Sequence, residues 1–348
     1  MVTVDGQTTY PLGMKVLLDH PNPFLLAHGG FQIQIEQTRQ ALIRIGWDAD
    51  WLRWWDAEQK ADLIHYFGRP HPAYIQQCHE KGLKVVMSEL LTGLGSRSAG
   101  ARTIQKALMV VAKKILPYDF ISRLGWESYQ KADAVVALTE WEKKLMAEMF
   151  SAPPHSIHVV PNGVEDFFLQ DKPQKKRSDY LLCTATITPR KRVLEIAQAA
   201  TLARVKIRFL GEPYSAEDSY FKQFMATVKE SAGWVEYGGG ITDRTRLAEE
   251  YRASKGFILL SAMESQSLSA LEAAACGCPL LLSDLPWARS SFGNRASYIP
   301  IASSEGTAVF LRRFMECIEQ APRVEKVLSW DEVAIRLAQV YREAITSR

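Results

Sequence analysis

Short apolar segments that alternate with helical segments constrain the fold of this chain more than any other feature. The segment KVLLD (15–19) is a continuous apolar run typical of a parallel strand buried on both faces. A loop rich in proline and glycine follows, and then a helical stretch, 31–45, that Gly46 ends. Similar runs recur at 61–67, 83–88, 133–139 and 157–161. Because helical segments separate them, the sequence predicts an α/β fold with a doubly wound parallel sheet.

A second series of the same kind begins after the polar segment QDKPQKKRSD (170–179), which we interpret as a linker. Its predicted helix is 193–203, and its predicted strands are 179–187, 205–211, 234–239, 257–261 and 279–284. A chain of 348 residues is also longer than the chains that usually fold around a single hydrophobic core. The sequence therefore predicts a tail (1–13) and two Rossmann-like domains, 14–170 and 178–329, that face a cleft and bind ligands at the carboxyl ends of their strands.

Composition limits the partners and the compartment. The net charge of +3 is too small to favour nucleic acid as a partner. The five cysteines are an odd number without paired spacing, which indicates reduced thiols. The N-terminal segment lacks a basic start and an apolar core, and no run of 18 apolar residues occurs. We therefore expect a cytoplasmic protein, with peripheral contact at the inner membrane face as the alternative.

Two glutamates lie in and after the loop that follows the run FILLS (257–261). A helix is predicted over 266–276, with Ser265 or Ser267 as its cap, and its free amides would suit a phosphate. If the intervening turns are helical, Glu264 and Glu272 lie about 12 Å apart. Glycosidase carboxylates lie about 5 to 9.5 Å apart, so this pair fits two ends of a longer ligand, one of them a ribose diol. The alternative is a loop acid and a solvated helix residue.

A basic turn follows the first strand of the second series. Arg190, Lys191 and Arg192 in ITPRKRV would face the same cleft and neutralise a diphosphate, unless they form only a solvated turn. Gly211 closes the next strand. The segment GGGI (238–241), including Gly240 and Ile241, would let the backbone approach a flat base.

The order of Lys191, Gly211, Glu264-x7-Glu272 and GCP (277–279) resembles glycosyltransferase family 4, the large retaining GT-B family of two Rossmann-like domains. The resemblance extends over 14–346. Other segments similar to the family are HGGFQIQIEQTRQALIRIG (28–46), HVVPNGVEDFF (158–168) and SWDEVAIRLAQVYREAI (329–345). The last of these resembles the helix that crosses back onto the first domain, so we expect 330–348 to complete that domain.

This resemblance implies a metal-independent hexosyltransferase, with UDP-sugar favoured as the donor and GDP-mannose as the alternative. The acceptor would be a sugar, a lipid-linked molecule or another small molecule. Glu264 would contact the donor sugar, Glu272 the ribose diol and Lys191 the diphosphate. Other residues implied to bind the donor are Gly29, Gly30, Ser265, Gln266, Ser267 and Leu268. No cofactor and no metal are expected.

Three positions depart from the family pattern. Thr186 replaces an arginine five residues before Lys191, and Arg190 or Arg192 would substitute for it. Gln266-Ser267 replaces a phenylalanine-glycine pair, and Glu89 replaces a histidine of the first domain. Thr186 and Gln266-Ser267 leave open an inactive homologue that serves as a nucleotide-sugar binding or regulatory subunit. A UDP-sugar epimerase, which shares the two-domain architecture, is a further alternative. A nicotinamide dehydrogenase is disfavoured because neither half contains G-x-G-x-x-G.

Three further features have an ordinary interpretation that we favour. Asp48 and Asp50 resemble a manganese-binding pair, but a strand start explains them. Trp47, Trp51, Trp54 and Trp55 would form an acceptor platform, although packing explains them better. Residues 96–131 hold seven basic and two acidic residues around an apolar run (107–117). They would form a surface for anionic lipid, but an ordinary helix under a connecting loop is the favoured interpretation.

Overall fold

The computed structural model describes residues 3–4, 7–8, 14–21, 23–26, 29–170 and 177–347. The chain divides into two compact units. Unit 1 comprises Met1–Gly163 and Trp330–Arg348, and unit 2 comprises Val164–Ser329. Within the described residues, no helix combines the length and the apolar character needed to cross a bilayer.

Unit 1 contains a six-stranded parallel sheet in the order β4-β3-β5-β6-β7-β8. These strands are β3 Lys15–Asp19, β4 Asp48–Trp51, β5 Leu63–Phe67, β6 Lys84–Ser88, β7 Ala134–Ala137 and β8 Ile157–Val159. The helices are α1 Gly30–Arg44, α2 Pro72–Glu80, α3 Thr92–Gly95, α4 Ala99–Ile115, α5 Tyr118–Arg123, α6 Ser128–Lys131 and α7 Glu140–Phe150. The central strands are buried, as the continuous apolar runs predicted.

The predicted tail, 1–13, contains two short strands. β1 Thr3–Val4 pairs antiparallel with β2 Gln7–Thr8. The rest of that segment lies outside the described residues.

The last helix of the chain, α15 Trp330–Thr346, belongs to unit 1 and packs against α1 and β6. Its Tyr341 hydroxyl lies 2.6 Å from Nδ1 of His65, and Nε2 of the same ring lies 2.6 Å from the Ser88 hydroxyl. All three side chains are buried. Burial lowers the pKa of His65 from 6.5 to about 3. The hydrogen bonds therefore link a neutral imidazole to the C-terminal helix.

His65 should make the protein less stable in mild acid. Between pH 6.5 and about 3 the unfolded chain binds a proton at this residue and the folded chain does not. The free energy of unfolding should therefore fall as the pH falls, by about 1.4 kcal/mol per pH unit from this group. In His65→Gln the slope of the unfolding free energy against pH should be smaller, by the amount that corresponds to the uptake of about one proton on unfolding. Urea unfolding across this range measures it, and equal pH slopes in parent and variant would contradict the prediction.

Unit 2 contains a second six-stranded parallel sheet, in the order β11-β10-β9-β12-β13-β14. Its strands are β9 Leu181–Thr184, β10 Ile207–Leu210, β11 Val235–Tyr237, β12 Gly256–Leu259, β13 Leu280–Ser283 and β14 Ser297–Ile299. Its helices are α8 Asp166–Leu169, α9 Val193–Ala203, α10 Ser219–Glu230, α11 Arg244–Ala253, α12 Leu268–Ala275, α13 Pro286–Phe292 and α14 Ser304–Glu316. The two doubly wound sheets confirm the predicted fold class.

The division between the units falls earlier than the predicted linker. Val164 donates its N–H to Leu328 O at 2.9 Å, and Phe168 is fully buried in a core of unit 2. Residues 164–170, which the sequence assigned to the first domain, therefore lie in the second unit. Of the predicted linker 170–179, residues 171–176 lie outside the described residues.

Candidate active site

The switch point of the sheet in unit 2 lies between its neighbouring strands β9 and β12. The other strands of the sheet lie on either side of this pair, in the classical nucleotide-binding order. The carboxyl ends of β9 and β12 carry the basic turn at 190–192 and the loop with Glu264. In sheets of this type ligands bind at this place.

Backbone hydrogen bonds join these two segments. Pro189–Lys191 forms one turn of 3-10 helix, and Arg192 has a left-handed backbone (φ 56°) before α9 begins. Ala262 N donates to Arg190 O at 2.9 Å, and the Ser261 hydroxyl donates to the same oxygen at 3.3 Å. The basic turn is therefore held against the loop that follows β12.

This arrangement brings two of the predicted cations onto Glu264. Lys191 Nζ donates to Glu264 Oε1, and Arg190 Nη1 donates to the same oxygen at 3.1 Å and to Met263 O at 2.7 Å. The side chains of Lys191 and Glu264 are only 12% and 10% exposed. Two cations share one carboxylate, so the cluster keeps a net positive charge at the switch point. It can therefore accept an anionic ligand.

Arg192 and Thr186 are placed differently. Arg192 Nη2 donates to Ala302 O at 2.6 Å, and its Nε lies 3.9 Å from Glu195 Oε1. Its charge therefore lies against Ala302 O and Glu195, whereas those of Lys191 and Arg190 lie against Glu264. Thr186 is half-buried in the loop after β9. Of the two arginines predicted to substitute at this position, Arg190 is the one that reaches Glu264.

The helix after Glu264 begins later than predicted. It runs from Leu268, and Ser267 caps it by accepting from Ala270 N at 3.3 Å. Ser265 and Gln266 lie in the loop before this cap. Since 264–267 are not helical, the separation of about 12 Å expected for a continuous helix does not follow from helix geometry. The first turn of α12, which begins four positions after Glu264, nevertheless has free backbone amides.

Glu272 is buried, not solvated, and it lies in a network of ions and hydroxyls. Its Oε1 accepts from Arg244 Nη2 at 2.6 Å, and its Oε2 accepts from the Tyr251 hydroxyl at 2.9 Å. Arg244 also donates to both carboxylate oxygens of Glu165 at 3.0 Å. Tyr251 Oη lies 2.6 Å from the hydroxyl of Thr184, at the end of β9. The network therefore connects Glu272 to the carboxyl end of a central strand.

The network sets the protonation of its members. Burial raises the pKa of Glu272 above its ordinary value, and the charge of Arg244 opposes that shift. Burial lowers the pKa of Arg244, but the charges of Glu272 and Glu165 outweigh it and leave that pKa raised. Burial also holds the pKa of Tyr251 well above 10.0, so its hydroxyl stays a donor. Arg244, with a smaller contribution from the Tyr251 hydrogen bond, therefore favours the ionised form of Glu272.

The contacts of Glu272 with Arg244 and Tyr251, and that of Arg244 with Glu165, were not predicted from the sequence. One sequence signal was available for Arg244. Asp243 caps α11, which places Arg244 in the first turn of the helix. A cation is disfavoured at that end by the helix dipole. A carboxylate from elsewhere in the fold can compensate for a cation at that end, as Glu272 and Glu165 do for Arg244.

The predicted glycines lie at the carboxyl ends of β10 and β11. Gly211 has φ 137° and donates its N–H to Gly239 O at 2.8 Å. A Cβ at Gly240 would lie 2.5 Å from Glu212 Oε1. Ile241 is half-buried and packs against a core of unit 2. The loops after β10 and β11 therefore contact each other through their backbones. They lie next to the basic turn, because β10 neighbours β9 in the sheet.

Gly211→Ala should destabilise unit 2 by about 3 kcal/mol. A Cβ at this position would overlap the carbonyl oxygen of Ala185, and the backbone is one that L residues rarely adopt. Gly233→Ala is the matched control, because Gly233 also has positive φ (86°) but no atom of the described part of the chain lies within 4 Å of a new Cβ. It should cost about 1 kcal/mol. Urea unfolding compares the two, and equal losses would show that the close approach to Ala185 is unimportant.

Unit 1 holds the other predicted donor residues. Gly29 caps α1 with φ 144°, and Gly30 is the first residue of that helix. Among the described residues, a Cβ at Gly29 would meet no atom within 4 Å, and its positive φ favours glycine there. Glu89, at the position of the family's histidine, accepts from Arg69 Nε at 2.7 Å and from the Tyr129 hydroxyl.

The weaker predictions have mixed outcomes. Asp48 lies 3.1 Å from Lys15 Nζ, and Asp50 lies 2.6 Å from Arg53 Nη1. Among the described residues, no group of three or more histidines, cysteines or acids is placed to bind a metal ion.

The four tryptophans differ in burial. Trp47 is buried, as packing predicted, but Trp54 and Trp55, which follow β4, are 78% and 83% exposed. Packing therefore does not account for these two.

Comparisons with known proteins agree with this architecture. The family model for glycosyltransferase family 4 matches residues 22–166, and the model for glycosyl transferases group 1 matches residues 164–321. A D-inositol 3-phosphate glycosyltransferase of Rhodococcus erythropolis is 32% identical in an alignment that covers 62% of this chain and 54% of that protein. The chain spans 60%, 54% and 58% of the lengths of three such relatives.

Two solved structures are similar over nearly the whole chain. Sucrose-phosphate synthase from Thermosynechococcus elongatus has a TM-score of 0.68 at 15% identity, covering 95% of this chain and 98% of that one. HepE of Anabaena, in complex with UDP and glucose, has a TM-score of 0.58 at 14% identity, covering 94% and 99%. At these identities the likeness shows the fold. With the two family models, it confirms the resemblance found in the sequence, and the chain belongs to the group 1 glycosyltransferases of the GT-B fold.

Proposed function

We propose that the chain is a retaining glycosyltransferase that transfers a hexosyl group from a nucleotide sugar to a sugar, a lipid-linked molecule or another small molecule. The observation that carries the proposal is the contact of Lys191 and Arg190 with Glu264 at the carboxyl ends of β9 and β12. UDP-sugar is the favoured donor and GDP-mannose the alternative. The solved complex of HepE with UDP and glucose supports the uridine preference.

The donor diphosphate would bind beside Lys191 and the first turn of α12. Two cations share one carboxylate there, and the free amides of α12 add a partial positive charge. When the diphosphate binds, Lys191 would exchange its contact with Glu264 for a phosphate oxygen. Glu264 would then be free to accept from hydroxyls of the donor sugar.

In the proposed reaction, the bond between the anomeric carbon and the phosphate oxygen breaks, and the diphosphate leaves with the electron pair. The acceptor oxygen bonds to the same face of the sugar, and its proton moves to the departing phosphate oxygen. Lys191 would stabilise the charge that develops on the leaving group. The proposal needs no metal or cofactor, because side-chain cations and helix amides supply the positive charge.

The ribose of the donor would bind Glu272. A carboxylate has about four acceptor sites, and Arg244 and Tyr251 occupy one on each oxygen. Each oxygen therefore keeps capacity for one hydroxyl of a cis-diol. The ionised form, which Arg244 favours, is the stronger acceptor.

Titration calorimetry with UDP, GDP and 2′,3′-dideoxy-UDP tests this assignment. The parent should bind UDP more tightly than the dideoxy analogue by about ten-fold or more, because charge-assisted hydrogen bonds to the diol are lost. Glu272→Gln, which keeps the shape of the side chain, should bind UDP and 2′,3′-dideoxy-UDP with nearly equal affinity. A preference for the diol that survives in Glu272→Gln would assign the ribose to another residue. No binding of any nucleotide would overturn the proposal.

Turnover separates the proposed function from its alternatives. We expect time-resolved proton NMR of UDP-glucose with the chain to show slow release of glucose, appearing first as the α-anomer of the donor. Release first as the β-anomer would contradict retention. Conversion of the donor to another UDP-sugar would indicate an epimerase, and binding without any turnover, with or without acceptors, would indicate an inactive homologue.

A further inference from the structure

Unit 1 has a switch point of its own, between β3 and β5. The next strand along the chain, β4, pairs on one side of β3, whereas β5 and the later strands follow on the other side. Doubly wound sheets bind their ligands outside the carboxyl ends of the strands at this point. Asp19 is the last residue of β3. Its surroundings are therefore a candidate ligand site within unit 1.

Asp19 places a carboxylate at this switch point, where it is 4% exposed. Among the described residues, His20 N donates to its Oδ1 at 2.8 Å and the Tyr74 hydroxyl donates to its Oδ2 at 2.7 Å. Trp54 Nε1 also donates to Oδ1, over 3.4 Å. These donors are uncharged, so they do not neutralise the carboxylate. Since a carboxylate has about four acceptor sites, one is left for a ligand.

Trp54 presents an exposed indole beside this carboxylate. The residue is 78% exposed, although its ring nitrogen reaches the nearly buried Asp19. Its hydrogen bond is longer than the usual N–H···O distance, so a ligand hydroxyl can replace it at little cost. Sites for small molecules typically combine aromatic side chains with a few polar groups placed in this way.

The turn that carries Trp54 is held by side chains on both sides of it. Arg53 Nη1 lies 2.6 Å from Asp50 Oδ2, and Arg53 Nη2 lies 2.7 Å from Asp56 Oδ2. Arg53 N donates to Gln59 Oε1 at 2.9 Å, and Asp56 N donates to Arg53 O at 3.0 Å. A turn that is ordered before a ligand arrives loses less conformational entropy when the ligand binds. The indole is therefore presented for contact in advance.

We propose that Asp19 and Trp54 form a subsite for an acceptor sugar that carries no anionic group. One face of a pyranose ring presents C–H groups, and these would pack on the face of the indole, which is electron-rich. A hydroxyl at the rim of the sugar would donate a charge-assisted hydrogen bond to Asp19. In taking this sugar as the acceptor, the proposal rests on the proposed function.

The charge of the subsite selects this class of ligand. A phosphate or carboxylate group would be placed against Asp19, and like charges in contact repel each other. A nucleobase also stacks on an indole, but a nucleotide would bring its phosphates to the same carboxylate. A sugar without an anionic group supplies both a C–H face and hydroxyl donors.

Saturation-transfer NMR with methyl α-glucoside, methyl α-mannoside and methyl α-galactoside, in the absence of nucleotide, tests the proposal. At least one of the three should bind the parent, with the strongest transfer to the protons of one face of the sugar ring. Trp54→Ala should weaken this binding by about ten-fold, because the stacking contact is lost. Asp19→Asn, which keeps the size of the side chain, should also weaken it by about ten-fold, through loss of the charge-assisted hydrogen bond.

Two further variants separate the subsite from general stickiness. Trp54→Phe keeps an aromatic face and should retain most of the affinity for the sugar. Phe120→Ala is the matched control and should bind like the parent. Residues 96–131 expose several apolar side chains, contrary to the predicted ordinary helix under a connecting loop, and Phe120 among them is 56% exposed. The variants at Trp54 and Phe120 should keep the parent's unfolding temperature, because both side chains are exposed.

The uronic acid counterpart of the sugar that binds best tests the selection by charge. It should bind the parent more weakly than the uncharged sugar, because its carboxylate would lie near Asp19. In Asp19→Asn most of this difference should disappear. A uronic acid that bound the parent more tightly than the uncharged sugar would contradict the proposal.

Two other results would overturn the subsite. One is the absence of transfer to all three glycosides, and the other is binding that is unchanged in both Trp54→Ala and Asp19→Asn. These outcomes are separate from the titration with UDP, because no nucleotide is present. A chain that bound UDP but no sugar would lose the subsite and keep the proposed function. A chain that bound sugar at Trp54 but no nucleotide would keep a sugar site and lose its assignment to an acceptor.

Discussion

Lys191→Ala should lower the rate of sugar transfer by about a thousand-fold with saturating UDP-sugar, while the chain stays folded. The removed ammonium is the nearly buried cation on Glu264, and in the proposed reaction it stabilises the departing diphosphate. Loss of one such preorganised group costs about a hundred- to a thousand-fold in other enzymes. The measurement is kcat for the transfer reaction, together with the unfolding temperature of the variant.

Two neighbours on the same turn provide matched controls. Arg192→Ala should change kcat by only a few-fold, because Arg192 donates to Ala302 O. Arg190→Ala should weaken donor binding, because Arg190 contacts Glu264 and would replace the family's arginine at Thr186. If all three alanine variants lost the same activity, the turn would act as a diffuse basic patch. If Arg190→Ala and Arg192→Ala both bound donor like the parent, neither would substitute at that position.

The elements that could be predicted from the sequence are those with a continuous local signal. Helix 193–203 was predicted at the bounds that the structure has, because apolar residues recur at helical spacing after the basic turn. The central strands were predicted because they are apolar runs buried on both faces. β14 was missed, because its sequence SYI is too short and too polar to give that signal.

Part of the candidate site could likewise be predicted from the sequence, and part could not. The approach of Lys191 to Glu264 was predictable, since both follow parallel strands whose carboxyl ends share one sheet edge. The environment of Glu272 was not, since Arg244 and Tyr251 lie 28 and 21 positions away in the chain. Only tertiary packing brings them to α12. The bend before Leu268 was also missed, because either Ser265 or Ser267 satisfies the local capping pattern.

Arg244→Met should destabilise unit 2 by about 3 to 5 kcal/mol at neutral pH. The substitution leaves Glu272 and Glu165, whose side chains are 5% and 11% exposed, without the cation that joins them. Methionine keeps an apolar side chain over the Phe168 ring, which the guanidinium covers at 5.1 Å. Arg246→Met, an exposed position on the same helix, should cost less than about 0.5 kcal/mol. Urea unfolding of both variants measures these losses.

The loss in Arg244→Met should depend on pH in a direction that identifies its cause. Burial already raises the pKa of Glu272 above 4.5, and removing Arg244 removes the charge that opposes this shift. Above pH 4.5 the folded variant then holds a proton that the unfolded chain releases, so its stability falls as the pH rises. Relative to the parent, the deficit should be largest at neutral pH and shrink towards pH 4.5. Adding Glu165→Gln should recover part of it at neutral pH, because one of the two unpaired charges is removed. A deficit that stayed constant with pH would instead assign the loss to packing against Phe168.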